Sequence, residues 1–175
     1  MSAIHAVNDF TYHGSSGLSV LGEKWIAWVL EHQNKQGFSH ENAYGLGQVT
    51  HVTWRVDGKL ISVPIEEWSY CKTLPDASGF ICFESEWKLD NCILLDAYGK
   101  KRMRLTVPWQ LTGSTNPDSG QPPTSFENIS EPYVNPADGL EGKFGVTAWV
   151  EYAGKYYFEL DYHTGQFLWC KRIMD

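Results

Sequence analysis

GVTAWVEYAGKYYFELDYHTGQFLWCKRI, residues 145–173, decides the fold of this chain. Gly145 to Tyr152 alternates in character, Ala153-Gly154-Lys155 breaks the run, and Tyr156 to Tyr162 alternates again. His163-Thr164-Gly165 makes a second break before Gln166 to Ile173. A period of two, cut by turns that contain glycine, predicts an antiparallel β-meander, because successive side chains of a strand point to opposite faces. With both breaks read as three-residue loops, Val150 is expected opposite Phe158 and Ala148 opposite Leu160. On the next strand Leu168 then opposes Leu160 and Cys170 opposes Phe158.

This register separates two faces. Ala148, Val150, Tyr156, Phe158, Leu160, Leu168 and Cys170 form a core face, and a one-residue slip would mix them with polar side chains. The other face carries Trp149, Glu151, Tyr157, Glu159, Asp161 and Trp169. Its row Trp149–Glu159–Trp169 would cross three strands at ~5 Å per step. Rings interleaved with carboxylates suit a cationic or sugar-like ligand, or a basic protein surface. These residues are the candidate partner- or ligand-binding site. The competing reading puts Trp149 and Trp169 beneath the Pro-rich segment that precedes the meander.

Working towards the N-terminus, Thr112 to Gly142 holds Pro117, Pro122, Pro123, Pro132 and Pro136 among glycines and few aliphatics. It reads as a Pro/Gly-rich excursion at about 112–142 from a single domain of residues 1–175. Cys92–Asp96 and Met103–Pro108 flank Tyr98-Gly99-Lys100 as a hairpin, and Phe80–Glu84 is a short strand. Gln48–Ile65 is a second hairpin around Asp57-Gly58, a strong two-residue turn signal. Before it, Leu21, Trp25, Trp28, Val29 and His32 recur at helical steps, with a start near Ser15–Ser19 and a stop at Gly37. The fold class is therefore mainly β (α+β): antiparallel meander and hairpins forming a bent sheet, barrel or sandwich, with one N-terminal helix packed on it.

Composition narrows the chemistry. The chain has 14 Lys and Arg against 21 Asp and Glu, a formal charge of −7. Direct nucleic-acid binding needs a basic surface and is not expected. No apolar run approaches the ~20 residues of a membrane span. Met1 to His5 lacks a basic stretch followed by an apolar one, so no secretory signal is expected and the localisation is read as cytoplasmic. The four cysteines sit at no metal-like spacing and are expected to be reduced packing residues, with a Cys82–Cys92 pair as the conceivable exception.

No reaction is legible. Gly14-Ser15-Ser16-Gly17 is not a nucleophile elbow, Gly45-Leu46-Gly47 lacks the third glycine of a dinucleotide loop, and His40-Glu41 lacks zinc-protease spacing. Glu159 and Asp161 lie ~7 Å apart along one strand, a poor match to carboxyl groups facing across a cleft. No catalytic residue, metal ligand or cofactor is assigned. The leading expectation is a non-catalytic, acidic, aromatic-rich protein-binding domain, in its most concrete form an inhibitor or immunity protein that neutralises a basic toxin or nuclease. The alternatives are a carbohydrate- or small-ligand-processing enzyme built on Trp149, Glu159 and Trp169, and a structural component of a larger assembly.

Overall fold

The computed structural model describes residues 5–24, 27, 31, 46–64, 68–84, 86–114 and 123–174, with the side chains of 68–70 left aside. The described part is mainly β: twelve strands in three antiparallel four-stranded sheets. Every sheet is open, and no closed barrel forms among the described residues. The chain divides into two compact units, residues 1–82 with 95–101, and residues 83–94 with 102–175.

In the first unit, β1 (Asn8–Gly14), β2 (Ser19–Leu21), β3 (Val49–Val56) and β4 (Lys59–Pro64) form a sheet in the order β2-β1-β3-β4. Alternation explains it: Phe10, Tyr12, Val52, Trp54 and Val56 are buried, while Thr11, His13, His51 and Arg55 face outward. Phe80 packs against Phe10 at 4.9 Å and Trp54 at 4.8 Å between ring centroids. The buried polar tips are answered, with the Tyr12 hydroxyl donating to the Cys71 carbonyl at 2.7 Å and Trp54 Nε1 to that of Ala97 at 2.7 Å. Asp57 and Gly58 take φ of 51° and 75°, and Val56 pairs with Lys59, so the two-residue turn is as expected.

The expected helix is shown only in part. Ser19, Val20 and Leu21 pair with His13, Tyr12 and Thr11 as a strand rather than opening a helix. Gly22–Lys24, Ala27 and Glu31 are helical; the remainder as far as Gly37, with Trp25, Trp28, Val29 and His32, lies outside the described residues.

A further sheet runs β5 (Trp68–Thr73), β6 (Gly79–Glu84), β7 (Cys92–Asp96), β8 (Lys101–Leu105) in that order. It contains both the expected short strand and the expected hairpin, whose turn is tied by the Asp96 carboxylate accepting from the Tyr98 and Lys100 amides at 2.9 Å each. The cysteines differ from expectation: Cys71 is disulfide-bonded to Cys82, and Cys92 and Cys170 are free. Cys71 and Cys82 sit on neighbouring strands, and the loop between β5 and β6 sets them opposite one another.

In the second unit, β9 (Ser125–Ser130), β10 (Gly145–Val150), β11 (Gly154–Asp161) and β12 (Gln166–Met174) form the sheet β12-β11-β10-β9. The meander is there; its first register is not the expected one. Val146, not Val150, opposes Phe158, because the loop is Glu151-Tyr152-Ala153 and Val150 already pairs with Gly154. Tyr152 and Gly154 take φ of 63° and 105°, so the chain reverses before the glycine rather than through it. The shift is four residues, an even number, and leaves each side chain on its expected face. In the second hairpin Phe158 opposes Cys170 and Glu159 opposes Trp169 as expected, but a bulge then sets Leu160 opposite Phe167. Leu168 is the extra residue and is 58% exposed instead of buried.

β9 was not foreseen. It lies inside the Pro/Gly-rich stretch, and the buried Asn91 side chain starts it by mimicking a strand: Nδ2 donates to the Phe126 carbonyl at 3.0 Å and Oδ1 accepts from the Phe126 amide at 2.9 Å.

Candidate functional site

The shifted register breaks the aromatic row. Glu159 lies between Gly145 and Trp169, while Trp149 lies between Lys155 and Ser125. The expected site residues fall into three groups. Tyr157, Glu159 and Trp169 are together; Trp149 and Glu151 lie at the far end of β10; and Asp161 ties the β11–β12 turn, accepting from the His163 amide at 3.0 Å.

Tyr157 and Glu159 are buried, at 0% and 4% exposure, although they stand on the face expected to meet solvent. What covers them is the segment Glu131–Phe144. Tyr133 packs on Tyr157 with centroids 5.1 Å apart, Trp169 packs on it at 5.3 Å, and Lys171 Nζ stands 5.6 Å from the centre of the Tyr133 ring. The Glu159 carboxylate is the tether of this cover. Its Oε1 accepts from the backbone amides of Lys143 and Phe144, and its Oε2 accepts from the Tyr157 hydroxyl. Burial, and then the bond to Glu159, pushes the Tyr157 hydroxyl far above the ordinary tyrosine range, which keeps it a donor. Two glycines make the fit possible: a side chain on Gly142 would meet the Glu159 carboxylate, and one on Gly145 would meet the Tyr157 ring.

Above this anchor the segment is ordered by its own bonds. Val134 and Glu141 form a β-bridge, the Asn135 amide donates to the Leu140 carbonyl at 2.8 Å, and the Gly142 amide to that of Tyr133 at 2.9 Å. The Asn135 and Asp138 side chains accept from the Ala137 and Leu140 amides at 3.0 and 2.9 Å. Such bonds stiffen a turn. Its tip exposes Leu140 (67%) and Val134 (47%) beside the exposed carboxylates of Glu131, Asp138 and Glu141 and the single cation Lys143.

Sequence reasoning passed over this loop as part of a long excursion. Asn135-Pro136 and Asp138-Gly139 are the turn signals that mark it. Glu151 is buried at the other end of the sheet, with its amide donating to Thr124 Oγ1 at 3.0 Å. Among the described residues no three His, Cys, Asp or Glu side chains come together as a metal site, and no helix is long and apolar enough to cross a membrane.

The site thus belongs to an antiparallel β domain that carries a stiff, acidic and apolar loop fastened over a buried carboxylate. No family model and no curated protein matches the chain in sequence. In fold it is similar to a chain from a solved structure of Tne2 in complex with Tni2, with a TM-score of 0.57 and 14% identity over 95% of this chain and 99% of that one.

Proposed function

We propose that this chain is a non-catalytic protein-binding domain of the inhibitor or immunity type, acting in the cytoplasm on a basic toxin or nuclease. The observation that carries the reading is the likeness in fold, over nearly the whole chain, to a chain solved in a complex of Tne2 with Tni2. The charge of −7 and the acidic, apolar loop tip support a basic partner, since complementary charge speeds and orients docking. The surface we assign is the Glu131–Lys143 loop, with the part-exposed Trp169 at its base. Glu159 and Tyr157 serve it from beneath by fixing the loop before the partner arrives, which lowers the ordering cost of binding. Trp149, Glu151 and Asp161 lie outside that surface. The sugar-processing alternative rested on the row Trp149–Glu159–Trp169, and the register supplies no such row.

The test has two stages. The tagged chain is used to capture its partner from lysate of its source cells, and that partner is then expressed alone and with the chain. Growth arrest by the partner alone, relieved by co-expression, supports the reading. A partner with no toxicity, or the absence of any stoichiometric partner, defeats it.

A further inference from the structure

The nine residues of β12 form an edge of their sheet, with β11 on one side and, among the described residues, no strand on the other. Backbone bonding fixes which residues turn to that open side. The Leu160 amide donates to the Phe144 carbonyl at 2.9 Å, so even-numbered residues of β11 bond toward β10 and odd-numbered ones toward β12. Trp169 and Lys171, opposite Glu159 and Tyr157, therefore use their backbone groups on β11. Cys170 lies between them and turns its N–H and C=O outward. Among the described residues no backbone group of a turn or loop bonds to either. Such an unpaired edge is a template for another strand. Apolar side chains also stand uncovered there. Leu168 is exposed on β12 itself, and so is Leu111, whose carbonyl accepts from the Cys170 thiol at 3.4 Å.

Charge decides which strand can be added. Lys171 and Arg172 disfavour a strand of a basic partner on this edge. A second copy of the chain is self-complementary in one register. With a two-fold axis at Cys170, the midpoint of Gln166–Met174, the two Cys170 residues oppose one another and exchange their outward N–H···O=C bonds. Lys171 then faces Trp169 of the second copy, a cation beside an aromatic ring, and Arg172 faces its Leu168. An axis at Lys171 or at Arg172 would instead set like charges opposite each other. The extra residues Leu168 and Ile173 bulge the strand at both ends, which confines regular pairing to Trp169–Arg172 between them.

We propose that two copies of this chain associate through β12, antiparallel about a two-fold axis at Cys170, joining their four-stranded sheets into one. This self-association goes beyond the protein-binding reading and stands without it.

Sedimentation equilibrium of the full chain in reductant, over about 5–300 µM, reads the association. The wild type should pass from monomer to dimer across that range. Leu168 is exposed, so the fold tolerates either charge in its place. Leu168→Lys sets a lysine opposite Arg172 at both symmetric contacts, whereas Leu168→Glu loses the same apolar surface and meets Arg172 with opposite charge. The lysine variant should therefore dissociate with a constant at least ~10-fold higher than the glutamate variant. Hydrogen exchange at the Cys170 amide should slow with concentration, while the Trp169 and Lys171 amides, already bonded to β11, change little. A chain that stays monomeric throughout, equal constants for the two Leu168 variants, or exchange at Cys170 that ignores concentration would each overturn the proposal.

Discussion

Gly145 and Glu159 show what single residues decide here. Gly145 leaves the space that the Tyr157 ring fills, and both are buried. Gly145→Ala should therefore cost about 1–3 kcal/mol, the usual penalty for overpacking, read as a lower urea midpoint. Charge at His13 gives a second residue-scale prediction. Its folded pKa lies below the ordinary value, so the unfolded chain takes the proton first. The stability it contributes is intact above pH ~6.5 and is lost as pH falls from there through the folded value. Thermal midpoints measured from pH 8 to pH 5 should fall with acid, and His13→Asn should flatten that fall. At this scale the sequence places Glu159 on a face expected to meet solvent, and the fold buries it. Polar and aromatic side chains on alternate positions suit a wet face, yet they equally suit a face covered by a loop whose amides satisfy the carboxylate.

Whole elements were legible where a turn has chemistry of its own. Asp57-Gly58 demanded positive φ at both positions and so declared the β3–β4 hairpin and its register. Gly58→Ala should lose about 1 kcal/mol in a thermal melt, because alanine resists the left-handed conformation that glycine holds at φ 75°. The β10–β11 loop lacked such a signal. Gly154 looked like its centre and is instead the first residue of β11, which moved the pairing by four residues and detached Trp149 from Glu159. β9 was hidden for another reason: its start is paired by the Asn91 side chain, a long-range contact that no local pattern announces. β2 is three residues long, too short for alternation to compete with the capping signal of its serine.

For the molecule as a whole, the −7 charge sets how it should meet a partner. Association with the captured partner should slow as salt rises from 50 to about 300 mM, where screening shortens the reach of surface charge. Reversing Glu131, Asp138 and Glu141 to lysine should slow it at low salt, measured by stopped flow. Equal rates for wild type and reversal variant would remove the loop from the interface. Composition made the sign of this charge plain from the start. The presentation of three of its carboxylates on one stiff loop depends on Tyr133, Gly142 and Glu159 meeting in space, which sequence spacing does not encode.

The division of the chain has a temporal side. Residues 1–82 need 95–101 to complete their unit, and 83–94 need 102–175 to complete theirs. On a ribosome, which emits a chain from the N-terminal side, the first unit waits for Lys101, and Phe83–Leu94 emerges before most of its own unit exists. No single cut can release the two units as separate, complete fragments. A nascent chain stalled after Leu94 would hold two unfinished units, and one stalled after Lys101 would be the first able to close one of them.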